Sequence, residues 1–177
     1  MYKFLIATFL IFFISNDSST LSWNHDYRLE WSDFKGVPTQ GTTTVAVTAS
    51  GITFSFSIKT SNARLLNYNY IVKAHFYQEQ SWYIKERATP NVLNHERLHF
   101  DITELFARKF RYRIESTNFT MDISNEMEAI HKGIQEELKN MQHRYDTETS
   151  NSQDIQIQKE WQTKVILQLN KLAYYSS

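Results

Sequence analysis

Two periodicities divide the chain. Over 52–58 and again over 68–76, apolar side chains recur at every second position. Ile52, Phe54, Phe56 and Ile58 form one run, and Tyr68, Tyr70, Val72, Ala74 and Phe76 form the next. A period of two, with polar residues between, predicts strands with one buried face. The break at Ser61-Asn62-Ala63 makes the two runs adjacent antiparallel strands. The Thr- and Val-rich stretch 42–48 extends this strand region, and residues 27–31 read as a short strand leading to a turn at Gly36-Val37-Pro38. Residues 78–86 read as a link. An edge strand in this region could hold an extended peptide by backbone pairing, an ordinary protected sheet edge being the alternative.

Beyond residue 90 the period changes to three or four. Val92, His95, His99, Ile102, Phe106 and Phe110 form one stripe, predicting a helix over 91–114 that opens behind Pro90. Ile123, Met127, Ile130, Ile134, Leu138, Met141 and Tyr145 predict a second helix over 122–145. Ile157, Trp161, Val165, Leu169 and Leu172 predict a third over 153–174, capped from Ser150-Asn151-Ser152. The expected fold is therefore α+β: a small N-terminal antiparallel sheet followed by three helices.

Composition narrows the function classes. The 177 residues carry 19 basic and 19 acidic side chains with no basic block, which argues against a nucleic-acid partner. With no cysteine there is neither a disulfide nor a thiolate ligand, so any metal falls to His, Asp, Glu or water. Aromatics make up 15% of the chain against 4 Gly and 2 Pro, which fits a compact domain, and Trp23, Tyr27, Trp31 and Phe34 are expected to pack. Residues 1–19 read as an export signal: Lys3 precedes an apolar run over 4–14, too short to span a bilayer, and a polar stretch over 15–20 follows. An uncleaved membrane anchor is the alternative. Residues 20–177 then form a single domain of a secreted or periplasmic protein. Asn16-Asp17-Ser18 and Asn118-Phe119-Thr120 match the glycosylation pattern, which matters only in a eukaryotic host.

The chemistry concentrates in His95-Glu96-Arg97-Leu98-His99, an H-E-x-x-H run. On a helix, His95 and His99 share a face one turn apart and can grip one metal ion. Zinc suits neutral imidazoles, and Glu96 stands where it could take a proton from a metal-activated water. Two core histidines on an amphipathic helix are the alternative reading. Catalytic zinc sites use three protein ligands and keep one position open. The third is expected in 142–151, where Asp146 and Glu148 are the best candidates with His143 behind them. Asp101 or Glu104 could accept from a histidine N–H, and Tyr145 could stabilise an oxyanion.

With these residues in view, the chain resembles a bacterial family of predicted secreted zinc-dependent proteases, catalogued as domain of unknown function 922. Trp31-Ser32-Asp33-Phe34-Lys35-Gly36 is similar to its tryptophan-x-aspartate-phenylalanine-x-glycine segment, and Ser50-Gly51 fits its strand. His95 to Ile102 matches its extended H-E-x-x-H-F-D-I pattern. Tyr145-Asp146-Thr147-Glu148-Thr149 matches Y-D-x-E-T, and Gln158 and Trp161 match the following Q-x-x-W. The resemblance implies a zincin-like metallopeptidase with the motif on its first long helix, binding Zn2+ and cleaving a peptide or protein substrate. One departure is Asn151, where the family carries a histidine. If that histidine is a ligand elsewhere in the family, zinc here falls to Asp146 or Glu148. A catalytically degenerate envelope protein with a binding or structural role is then the alternative function, and an amidase acting on cell-wall peptides a further one.

Overall fold

The computed structural model describes residues 19–177. All of the export-signal reading except Ser19, and the Asn16 glycosylation pattern, lie outside them. Among the described residues, no helix is long and apolar enough to cross a membrane.

The chain folds as α+β. Strand β3 (Ser50–Ser61) and strand β4 (Arg64–Tyr77) form a long antiparallel hairpin, and β1 (Thr20–Ser22) pairs along the other side of β4. The hairpin turns at Asn62 and Ala63, both with φ near +50° (48° and 55°), the left-handed pair whose twist suits a two-residue connection. The period holds best away from the turn: Ile52, Val72, Ala74 and Phe76 are buried, Phe54, Phe56, Tyr68 and Tyr70 are half-buried, and Ile58, near the hairpin tip, is exposed. A second, two-stranded sheet pairs β2 (Ala46–Val47) with β5 (Trp82–Tyr83).

Three helices follow, the first laid on the sheet and the other two packed on its far side. Helix α1 (Pro90–Glu115) begins at the cap Thr89, whose hydroxyl accepts from the Val92 N–H at 3.2 Å, with Pro at the first helical position. It is central: both faces are buried, against the hairpin on one side and α2 (Ile123–Glu148) and α3 (Ile155–Lys171) on the other. Ile102, Leu105, Ala107, Phe110 and Ile114 of α1 meet Met127, Ile134 and Tyr145 of α2 and Val165 of α3 in one core.

Three expectations need correction. Residues 27–31 form no strand. The Asp33 carboxylate instead takes the Glu30 N–H (2.7 Å) and the Tyr27 hydroxyl (2.8 Å), closing a 3-10 turn over Trp31–Asp33. Local side-chain bonding of this kind competes with a ladder. Within 42–48 only Ala46–Val47 pairs, while the Thr42 hydroxyl occupies the Thr44 N–H at 3.1 Å. The 78–86 link is more structured than expected, since it carries β5 between two 3-10 turns. The helix ends moved less, except at α2. It runs through Glu148, so most of 142–151 is helix rather than junction. The buried Thr149 ends it, its hydroxyl donating to the Tyr145 carbonyl at 2.7 Å, and Ser150, Asn151 and Ser152 follow with φ of 49°, 51° and 72°.

Candidate metal centre

The antiparallel packing of α1 against α2 brings the start of one to the end of the other. There, three ligand-type atoms meet. His95 Nε2 and His99 Nε2 are 3.1 Å apart, and Asp146 Oδ1 lies 3.1 Å from the first and 2.8 Å from the second. The donors of a tetrahedral zinc, at ~2.0–2.1 Å from the ion, are separated by about 3.3 Å. The triangle fits that edge with a small contraction. Among the described residues this is the one group of three or more His, Cys, Asp or Glu side chains close enough to share an ion.

Hydrogen bonding behind the triangle fixes which atoms face it. Gln142 donates its Nε2 to the His99 carbonyl (2.9 Å) and to the Thr103 hydroxyl (3.3 Å). That leaves its Oε1 against His99 Nδ1. Nδ1 must therefore carry the proton, and a neutral His99 presents a bare lone pair at Nε2. A bare nitrogen facing a carboxylate oxygen at 2.8 Å is repulsive unless positive charge lies between them. Either an extra proton or a metal ion supplies it. The network continues to the sheet, because the Ser50 hydroxyl bonds that of Thr103 at 2.7 Å.

The electrostatics agree. Burial alone would lower the His99 pKa. Its bond to Asp146, the nearby Glu96 and the Asp146 charge outweigh that, and the pKa is raised. For Asp146, burial would raise the carboxyl. The bonds to His95 and His99 dominate and hold it well below the ordinary carboxylate range. His95 is less well served: its Nδ1 is buried without a partner. Below the rings lies Tyr145, stacked on His95 with centroids 4.4 Å apart and edge-on to His99 at 5.0 Å.

The centre opens into a cleft of about 670 Å³. Residues 43–48 form one wall and Asn151, Ser152 and Gln153 another, with His95, Glu96, His99 and Asp146 between them. Thr48 joins wall to helix, its hydroxyl donating to the Glu96 carbonyl at 3.2 Å. The Glu96 carboxylate makes no hydrogen bond or ion pair among the described residues, and Glu96 lines the cleft.

The structure separates the other candidates. Glu148 accepts from Trp161 Nε1 at 2.8 Å and lies near Arg144, outside the triangle. Two residues on from Asp146 is about 200° around a helix, so one acid faces α1 while the other faces α3. His143 is exposed on α2. Tyr145 is fully buried and its hydroxyl points to the His95 carbonyl at 3.5 Å, which makes it a platform rather than a group facing the cleft. Asp101 accepts from Trp23 Nε1 and Arg28, both at 2.9 Å, and Glu104 pairs with Arg108 and Arg111. Neither holds a histidine. That role belongs to Gln142, which sequence reasoning missed. Its position four before Asp146 placed it on the same face, and that spacing was the available signal. Asn151 is in the cleft wall, not in the triangle.

The remaining motif residues build this arrangement. Trp31 stacks on Tyr83 of β5 at 4.4 Å, and Phe34 meets Phe76 edge-on at 5.0 Å. Gly36 bonds the Ser81 carbonyl at 2.8 Å, and a Cβ there would meet the Glu79 and Ser81 oxygens at 2.8 and 2.9 Å, so only glycine fits. Gln158 Nε2 donates to the Asn91 carbonyl at 3.0 Å, and Asn91 Nδ2 to the Ser152 carbonyl at 2.5 Å, which locks the second cleft wall onto the start of α1.

No match emerged among curated proteins or solved structures. A family model described as "Bacterial protein of unknown function (DUF922)" matches residues 24–153, a span that holds both the histidine motif and Asp146. With well over half its length matched, the chain belongs to that family.

Proposed function

We propose that the protein is a secreted or periplasmic, zinc-dependent metallopeptidase of zincin-like build. One observation carries the reading: with Gln142 Oε1 accepting from His99 Nδ1–H, His99 Nε2 faces Asp146 Oδ1 at 2.8 Å, and His95 Nε2 lies 3.1 Å from both. This donor set of two imidazoles and one carboxylate fits Zn2+ and leaves one side towards the cleft. His95, His99 and Asp146 would hold the ion. When bound, zinc supplies Lewis acidity, lowering the pKa of water towards ~7 and polarising a carbonyl.

The residues of the chain divide the remaining work. Glu96, whose carboxylate is otherwise unengaged, accepts the proton of the attacking water and returns it to the leaving amine. Gln142 holds the His99 ring in the tautomer that presents Nε2. Tyr145 fixes the tilt of both rings from below. The wall at 43–48 offers backbone alongside the helix for an extended peptide. Export is supported by Lys3 and the apolar run that follows it.

The departure at Asn151, which motivates the non-catalytic alternative, removes no member of the triangle. The catalytic reading is therefore the better supported. The purified mature protein is expected to hold about one zinc per chain. Glu96→Gln should keep the metal and lower hydrolysis of casein by about 10²–10⁴-fold, with cell-wall peptides assayed in parallel. Protein that stays metal-free after purification from zinc-supplemented medium would overturn the proposal.

A further inference from the structure

Six of the described arginines lie against carboxylates: Arg28, Arg97, Arg108, Arg111, Arg113 and Arg144. Arg64 and Arg87 do not, and Arg64 is remote, at the hairpin turn of the sheet. Arg87 lines the same cleft as the metal centre. It is exposed, and one nitrogen, Nη2, is pinned by the Thr43 carbonyl at 2.7 Å. Its Nε and Nη1 have no partner among the described residues. The guanidinium is thus held in place by the cleft wall with most of its donors unspent.

Its surroundings favour an anion. The remaining charged residues of the cleft are those of the metal centre, His95, Glu96, His99 and Asp146, and the walls are otherwise Thr, Ser, Asn, Gln and small aliphatic side chains. Beside Arg87 the long helix α1 begins, with its positive dipole end and a second-position N–H, that of Asn91, without a main-chain partner. A guanidinium fork suits a carboxylate, which it can bind through two parallel N–H bonds.

We infer that Arg87 is a substrate-binding residue that takes a carboxylate of the peptide. The choice of a peptide rests on the metallopeptidase reading. Arg87 and the motif side chains line one cleft, so a single extended peptide can reach both. The carboxylate is either a free C-terminus or an Asp or Glu side chain.

The test is a binding measurement that needs no turnover. Three acetylated hexa-alanine peptides are titrated by calorimetry into the Glu96→Gln protein, with and without zinc. One has a free C-terminus, one a C-terminal amide, and one an amide plus a single internal Glu. At least one carboxylate form should bind about 10-fold or more tightly than the neutral amide. In the Arg87→Gln background that preference should fall below about twofold, and Arg87→Lys should retain part of it. An unfolding midpoint unchanged by either Arg87 substitution separates lost recognition from a displaced wall. Preference for the free C-terminus alone identifies the chain end as the source, and preference for the Glu peptide identifies a side chain. Equal affinities, no binding by any peptide, or a preference that survives Arg87→Gln would each overturn the inference. Binding with the expected preference alongside a wild-type protein that cleaves nothing would sink the peptidase reading and leave the carboxylate site standing.

Discussion

Two of the places where helix α1 buries ionisable groups are built on opposite terms. Around Glu104 the charges are closed off. Arg108 Nε and Arg111 Nη1 bond Glu104 Oε1 at 2.9 and 3.2 Å. The rest of both guanidiniums goes to the Leu169, Val72 and Tyr175 carbonyls and the Ser176 hydroxyl. Apart from Glu104 Oε2, nothing in that cluster is left over. At His95, His99 and Asp146 the reverse holds. Three ligand atoms crowd to within 2.8–3.1 Å, His95 Nδ1 is orphaned, and the group is open to a cleft. The first cluster ties the sheet and the C-terminal turn to α1. The second gathers three ligand-type atoms that could hold one metal ion. Whether buried charges have spent their hydrogen bonds on the protein distinguishes a structural cluster from a functional one.

Mutations can break that contrast. The largest effect on stability is expected at the closed cluster. Glu104→Ala leaves two buried guanidiniums uncompensated and should cost about 3–5 kcal/mol in denaturant melts, with zinc stoichiometry unchanged in the folded fraction. An equal loss of stability at Asp146 would erase the distinction. At the open cluster the effect should fall on the metal. Asp146→Asn should weaken zinc by more than the ~10–100-fold typical of a residue behind a ligand. Glu148→Gln should leave it within about twofold, because Glu148 is occupied by Trp161. Competition with a fluorescent chelator measures both.

Gln142→Ala tests the supporting shell. It frees the His99 ring and should weaken zinc by about 10–100-fold while retaining the fold. The smallest effect is with pH. The raised pKa of His99 favours the metal-free fold below the ordinary value of 6.5, and this stabilisation fades as pH rises through the raised value. The lowered pKa of Asp146 acts above its ordinary 3.8 and is lost only as pH falls through the depressed value. Zinc needs His99 Nε2 unprotonated. The gain in melting temperature on adding zinc should therefore grow between about pH 5.5 and 8, and a flat or falling gain would argue against His99 as a ligand.

Much of the architecture was legible in the chain. The stripe from Val92 to Phe110, the alternation from Ile52 to Phe76 and the turn at Asn62-Ala63 all reflect local periods that backbone geometry imposes. What misled was local polar chemistry. Asp33 turned an expected strand into a 3-10 turn, and Thr149 let α2 run on to Glu148. The short strands β1 and β5 carry too few residues to show a period and exist only because a partner strand pairs with them.

By itself, the sequence determined that two imidazoles share one helical face with a glutamate beside them, because i and i+4 superpose on any α-helix. It also narrowed the third partner to residues 142–151, with Asp146 and Glu148 foremost. Only the tertiary structure decided between Asp146 and Glu148, assigned Gln142 to His99 and set Arg87 beside the cleft. Those choices depend on the rotational phase at which α2 packs against α1 and on where a loop crosses the helix start. Both are set by long-range packing of the core, which no local period encodes.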